Sequence, residues 1–184
     1  MRFGELGCKL VLVARSAAGL EGVAGRCREA GAPVVIALSH DLAVPGQCEA
    51  AVAGAVRQFG QLDVLVNSAG ILMSGGVENL TGENYDLVMN INTRAAFLLT
   101  QAAVPHLLAT RGNVIHVSSV TGIRAFPGVL GYCMSKAALD QVFIKCTRSL
   151  DILTGWLQLV RCAALELGGR GVRVNRSAVV RHWK

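Results

Sequence analysis

Apolar residues in this chain fall into short runs of four or five, separated by longer Ala-rich stretches in which they recur every three or four positions. The first pattern is that of a strand buried on both faces, and the second that of a helix with one apolar stripe. The runs predict strands over Leu10 to Ala14, Val34 to Leu38, Leu62 to Val66, Val114 to Val117 and Gly171 to Val174. The stretches predict helices over Leu20 to Ala30, Gln47 to Phe59, Glu83 to Leu108, and from near Gly131 past Val142. The third helix is expected to break near Asn92 and to stop at Arg111-Gly112, where glycine favours a helix end. Strands alternating with helices are the signature of an α/β fold, a parallel sheet joined by crossover helices.

Composition narrows this picture without altering it. The chain has 184 residues, 52% of them hydrophobic and 16% charged, which supports a packed core and excludes a disordered polypeptide. No apolar run is long and uninterrupted enough to span a bilayer, since Lys9 and Arg15 bracket the first, and no secretory signal is visible. The expectation is a cytoplasmic protein in a reducing compartment, without a membrane partner. Cys8, Cys27, Cys48, Cys133, Cys146 and Cys162 include no C-x-x-C pair, so they read as free thiols rather than metal ligands. The net charge of +6 is spread along helices apart from Arg170, Arg173, Arg176, Arg181 and Lys184 near the C-terminus. With no aromatic platform among these cations, no nucleic-acid partner is expected.

The most informative chemistry lies in Tyr132-Cys133-Met134-Ser135-Lys136, preceded by Ser118-Ser119 at the end of a predicted strand. Residues four apart on a helix share a face, so the Lys136 ammonium can lie beside the Tyr132 phenol and favour its phenolate. A tyrosine so placed can give or take a proton, while Ser119 donates a hydrogen bond to a substrate carbonyl oxygen. Alone, Tyr-x-x-x-Lys occurs by chance on many amphipathic helices. Its company is more specific: Asn67-Ser68-Ala69-Gly70 follows the strand at Leu62 to Val66, then come Met89-Asn90-Ile91-Asn92 and Arg173-Val174-Asn175.

Taken together these motifs resemble the short-chain dehydrogenase/reductase family, from about Gly7 to Lys145 and again from Cys162 to Asn175. The resemblance implies a Rossmann-like parallel sheet with helices on both faces. It also implies hydride transfer between a nicotinamide cofactor and a small-molecule carbonyl or secondary alcohol. Its catalytic set lands on Asn92, Ser119, Tyr132 and Lys136. Tyr132 would be the acid in reduction and the base in oxidation, and Ser119 would orient the carbonyl. Lys136 would tune the tyrosine and hold the nicotinamide ribose, and Asn92 would anchor a water relaying protons from Lys136. Asn90 is read as structural only.

An acidic residue at the end of the first visible strand would hydrogen-bond the adenosine ribose and favour NAD. Here Ala14 is followed by Arg15, whose guanidinium suits a 2′-phosphate, so NADP is expected over NAD. A merely solvated arginine is the plain alternative. Asp41 and Leu42 resemble the family's adenine-edge contact. Asn67, Ala69 and Gly70 complete the expected cofactor-binding set with Tyr132 and Lys136, and the small Ala69-Gly70 pair lets backbone approach the adenosine. Ser68 stands where a second asparagine is more usual. The long helices are expected to pair in a homo-oligomer, and Ala95, Ala96, Leu99, Ala102 and Ala103 place small and apolar residues around much of one of them.

Three departures qualify the resemblance. The family's first strand and its Gly-x-x-x-Gly-x-Gly turn are absent, with Met1 to Leu6 read as the last turn of the helix after them. Leu150 to Val160 reads as an insertion, because Lys145-Cys146-Thr147-Arg148-Ser149-Leu150 is loosely echoed by Arg161-Cys162-Ala163-Ala164-Leu165-Glu166-Leu167. Beyond Asn175 the family's substrate-covering segment and last strand are not found. The expectation is a single partial domain over 1–184, truncated at both ends. It would be an NADP-dependent oxidoreductase or, alternatively, a non-catalytic relative acting at most as an oligomerisation partner. Substrate identity is not legible.

Overall fold

The structure, a computed structural model, describes residues 1–142 and 167–179, and it divides into two compact units after Gly60. The expected insertion at Leu150 to Val160, any helix beyond Val142, Cys146, Cys162, Arg181 and Lys184 lie outside the described residues.

The first unit runs α1 (Arg2–Glu5), β1 (Leu10–Ala14), α2 (Ala17–Glu29), β2 (Val35–Ser39) and α3 (Gln47–Phe59). Strands β1 and β2 are parallel, with Leu10 opposite Val35 and Ala14 opposite Ser39, so α2 is the crossover that parallel pairing requires. Helix α2 starts three residues before the expected Leu20 because the Ser16 side chain accepts a hydrogen bond from Gly19 N at 3.1 Å and caps the first turn. Ala24, Cys27, Ala32 and Val35 form the core here, with Leu10, Leu12 and Val23 packed against them. Small residues let the layers approach: a Cβ on Gly54 of α3 would fall 2.9 Å from Leu38 Cδ1.

The second unit comprises β3 (Val64–Asn67), α4 (Gly82–Met89), a π-helical turn (Asn90–Arg94) and α5 (Ala95–Thr110). Next come β4 (Asn113–Ser119), a 3₁₀ turn (Val120–Gly122), α6 (Leu130–Val142) and β5 (Arg173–Val179). The sheet order is β3-β4-β5, all parallel, with Asn67 opposite His116 and Val114 opposite Val174. Among the described residues β1–β2 and β3–β4–β5 are separate ladders, and no backbone pairing joins them. Strand β4 is central, and Val114 from it, Leu107 from α5 and Leu139 from α6 are buried.

The long helix breaks where expected, and the break is the π turn around Asn92. Its end differs in detail. Arg111, rather than Gly112, adopts the left-handed conformation (φ 52°), and Gly112 N donates to Leu107 O at 2.8 Å, closing a Schellman arrangement. Gly112 is required for a different reason, since a Cβ there would lie 2.5 Å from Asp63 O. Strand β5 runs five residues beyond the expected Val174, along the whole of β4.

Leu107→Ala should destabilise the second unit by about 2–5 kcal/mol, because the residue is fully buried and its neighbours cannot all collapse onto the gap. Val77→Ala, at a position 89% exposed, should change stability by less than about 0.5 kcal/mol. Urea denaturation of both variants checks the contrast, and equal losses would contradict the core assignment.

Candidate active site

Parallel strands deliver their carboxyl ends to one edge of a sheet, the place where open α/β folds build ligand sites. In the second unit that edge carries Asn67, the last residue of β3, with Ser68-Ala69-Gly70 after it, and Ser118-Ser119 at the end of β4. Helix α6 is anchored at its start by a backbone bridge: Gly75 N donates to Gly128 O at 2.8 Å, and Leu130 N donates to Gly75 O at 2.9 Å. Tyr132 and Lys136 then follow on its first turns.

Lys136 is only 4% exposed. Its Nζ donates to Val117 O of β4 at 2.9 Å and lies 5.7 Å from the Tyr132 ring centroid. Gly70 makes room for it, since a Cβ there would sit 3.6 Å from Lys136 Nζ and 3.3 Å from Asn92 Oδ1. Removal from water pushes the Lys136 pKa below the ordinary lysine value, and the Asp140 carboxylate one turn away opposes the shift in part.

Asn92 is 1% exposed and fully engaged. Its Oδ1 accepts from Ile71 N at 2.8 Å, while Nδ2 donates to Ile71 O at 2.9 Å and to Ser135 Oγ at 2.9 Å. The carboxamide thus imitates a strand partner for Ile71, pinning the loop after β3 to the π turn. Ser135 Oγ in turn donates to Tyr132 O at 2.8 Å, and Thr93 Oγ1 donates to Ser135 O at 3.1 Å. Ser119 is buried and its Oγ accepts from Thr121 N at 3.3 Å, which opens the 3₁₀ turn and leaves the hydroxyl proton for another acceptor. Asn92, Ser119, Tyr132 and Lys136 are therefore carried by one unit, Asn92 linked to Tyr132 through Ser135 and Lys136 to the Ser119 strand through Val117.

Asn67 turns its carboxamide into the core. Nδ2 donates to Thr100 Oγ1 at 3.1 Å and lies 3.3 Å from both ring nitrogens of His116, its partner across the β3–β4 ladder. Thr100 Oγ1 donates to Ala96 O at 2.7 Å. Ser68, Ala69 and Gly70 are exposed, so any ligand contact along this turn falls to them and to the backbone. The sequence motifs single out neither His116, Thr100 nor Asp140, and Ser135 enters them only as a spacer. The alternation of Val114, His116 and Ser118 along β4, all buried, is the signal that would have found His116.

The remaining expected residues belong to the first unit, at the carboxyl ends of β1 and β2. Arg15 is exposed, and its carbonyl accepts from Ser39 Oγ at 2.9 Å. Asp41 Oδ1 accepts from Ala43 N at 3.0 Å in an Asx turn, and Leu42 O accepts from Cys48 Sγ at 3.6 Å. Among the described residues no cluster of three or more His, Cys, Asp or Glu could hold a metal ion, and no helix is long and apolar enough to cross a membrane.

Burial, followed by the positive charge of Lys136, lowers the His116 pKa from 6.5 to about 3. The unfolded chain takes up this proton as pH falls through the ordinary value, and the folded unit does not, so the unfolded state binds more protons between the two values. Stability from this group is complete above the unfolded value and is lost as pH falls towards the folded one. At about pH 5 the loss is about 2 kcal/mol. His116→Gln should flatten the dependence, measured as the change in urea midpoint between neutral and mildly acidic buffer. The same change in both proteins would reject the assignment.

Comparison with known proteins agrees with this geometry. The family model described as short chain dehydrogenase matches residues 1–151. The 2-(R)-hydroxypropyl-CoM dehydrogenase of Xanthobacter autotrophicus is 35% identical over 178 residues, covering 95% of this chain and 64% of that protein. The 3-oxoacyl-[acyl-carrier-protein] reductase FabG of Thermotoga maritima is 36% identical over 67% of this chain and 44% of its own length. A mutant short-chain dehydrogenase/reductase from Serratia marcescens superposes with a TM-score of 0.80 at 33% identity, covering 95% of this chain and 64% of that one. An NADH-dependent reductase responsible for alginate metabolism gives 0.82 at 26% identity, covering 97% and 69%. The chain thus spans less than two thirds of the length of these curated relatives. With the family model matching most of its residues, and the Tyr132–Lys136 helix seated against the β4 strand end, the chain belongs to the short-chain dehydrogenase family.

Proposed function

We propose that residues 1–184 read as one domain of an oxidoreductase that moves hydride between NADP(H) and a small carbonyl or secondary-alcohol substrate. The observation that carries the reading is the buried Lys136 ammonium beside the Tyr132 ring, facing the open backbone at Gly70. The residues fit a dinucleotide in that any side chain at position 70 would fill the space next to Lys136 Nζ and Asn92 Oδ1. Lys136 and Tyr132 would hold the nicotinamide ribose, and Ala69 and Gly70, with Asn67 setting their turn, would meet the adenosine. In the first unit, Asp41 and Leu42 are assigned to the adenine edge and exposed Arg15 to a 2′-phosphate, which favours NADP over NAD. The nicotinamide, when bound, supplies or accepts the hydride.

The chain's own part is proton transfer and orientation. Ser119 donates its hydroxyl proton to the carbonyl oxygen, and Tyr132 protonates that oxygen in reduction or removes the proton in oxidation. Lys136 places a positive charge next to the phenol. Asn92 would anchor, through its main chain, a water that returns protons to Lys136, and π turns such as the one that holds it are frequent at functional sites.

Self-association belongs to the same reading. Leu87 and Phe97 are exposed beside a groove of about 750 Å³ that runs along α4, the π turn and α5. A second copy of the chain would cover them.

NADPH should quench protein fluorescence at lower concentration than NADH, and Arg15→Glu should remove the preference; equal binding of both by the unaltered chain counts against the 2′-phosphate assignment. Assayed over ketones, aldehydes and quinones, Tyr132→Phe should lose at least about 100-fold in kcat with nucleotide binding retained. Turnover unaffected by that change rejects the mechanism, and binding without turnover of any substrate favours the non-catalytic alternative. Sedimentation at several concentrations should show a species heavier than the monomer that Phe97→Glu dissociates; a monomer throughout excludes the interface.

A further inference from the structure

Ser135 stands between Tyr132 and Lys136 on α6 and is fully buried. A serine inside a helix commonly turns its hydroxyl back to a carbonyl of the preceding turn, and this one does, donating to Tyr132 O at 2.8 Å. The same oxygen is used on its other side. Asn92 Nδ2, from the π turn, donates to Ser135 Oγ at 2.9 Å. A hydroxyl has one proton, and with that proton on Tyr132 O the oxygen can only accept from the π turn. The Nδ2 end of the Asn92 carboxamide is therefore the end that fits against α6, which leaves Oδ1 for Ile71 N at 2.8 Å.

The serine is gripped a second time through its main chain, since Thr93 Oγ1 donates to Ser135 O at 3.1 Å. Two successive residues of the π turn thus hold one residue of α6, by bonds that differ in what they connect. The Thr93 bond draws the turn and the helix together. The hydroxyl stands in a continuous path, from the loop after β3 through Ile71 and the Asn92 carboxamide to the main chain of Tyr132. Alanine at position 135 breaks that path and leaves one N–H of Asn92, a side chain only 1% exposed, without its acceptor.

We propose that Ser135 is a positioning residue acting through Asn92: its hydroxyl sets the orientation of the carboxamide, and so holds the loop after β3 and the π turn in register with the turn of α6 that carries Tyr132 and Lys136. This rests on the reading of Tyr132 as the acid–base group and adds the residue that fixes its place relative to the nucleotide-facing loop. Without the hydroxyl the carboxamide is free to turn, and the Ile71 amide loses a fixed acceptor.

The test reads Ile71, whose bonds run to Asn92, in the intact chain. Hydrogen exchange of the Ile71 amide is followed by NMR in the unaltered protein, in Ser135→Ala and in Thr93→Val, with the Val114 amide of the central strand as the gauge of general stability. Ser135→Ala should speed exchange at Ile71 about tenfold relative to Val114, roughly the worth of one hydrogen bond. Thr93→Val weakens the same contact without breaking the path and should leave the ratio in place. An unchanged ratio in Ser135→Ala, or an equal rise in both variants, overturns the proposal. If Ser135→Ala does not fold, Ser135→Cys, whose thiol donates and accepts only weakly, is read in the same way and against the same outcomes. Catalysis should follow: kcat/KM of Ser135→Ala should fall by about the same factor, and a value equal to that of the unaltered chain also overturns the proposal. A chain that turns nothing over would reject the oxidoreductase reading, and exchange at Ile71 would still decide this one.

Discussion

Keeping one ammonium out of water is the constraint around which the second unit is arranged. A charged lysine is tolerated inside a protein only where oxygen atoms and an opposite charge replace its hydration. Here Val117 O accepts a hydrogen bond from Lys136 Nζ at 2.9 Å, which requires α6 to lie close against the end of β4. That closeness in turn requires residues without bulk at the points of approach, and Gly70 and Gly122 stand there. The backbone bridge between Gly75 and Val129 fixes where α6 begins, and thereby how far along it the lysine sits.

The same strand carries a second buried polar system of opposite character. His116, Asn67 and Thr100 form a neutral network next to a cation, and like charge so near would have to be repelled. Neutrality of the histidine is thus part of what makes the buried lysine possible. Val117, between His116 and Ser118, gives its carbonyl to Lys136 while its neighbours point their side chains elsewhere.

Local pattern was enough for much of this. Five apolar runs became five strands, parallel within each ladder, the break at Asn92 was visible in the helix that contains it, and Tyr132 and Lys136 were marked by their spacing together with the Ser119, Asn67 and Asn92 motifs around them. What escaped were partnerships made across the fold. Asn67 and His116 are 49 residues apart and meet only because β3 and β4 pair in one register. Asp140 reads in sequence as an ordinary polar position on an amphipathic helix, and only the fit of Gly122 against it shows that it faces inward. The division of the strands into two ladders is likewise a matter of pairing, which periodicity does not encode. Arg111 shows a smaller limit: the stop at Arg111-Gly112 was legible, but not that Arg111 takes the left-handed turn while Gly112 serves the close approach of Asp63 O.

The π turn at Asn90–Arg94 makes the long helix two rods set at different azimuths. One surplus residue is accommodated within the turn, and each residue of a regular helix advances about 100° around the axis and about 1.5 Å along it. Upstream of the turn the helix is keyed by Val88, and downstream it is keyed by Ala96, Leu99, Ala103 and Leu107. Delete a single residue anywhere within the turn and a regular helix results, with one rod rotated by roughly a quarter of a circle relative to the other. Asn92 can then meet Ile71, or Leu107 can fill the core, but not both. The irregularity acts as a phase shifter, and the helix on either side of it is free to change in sequence only so long as that offset is preserved.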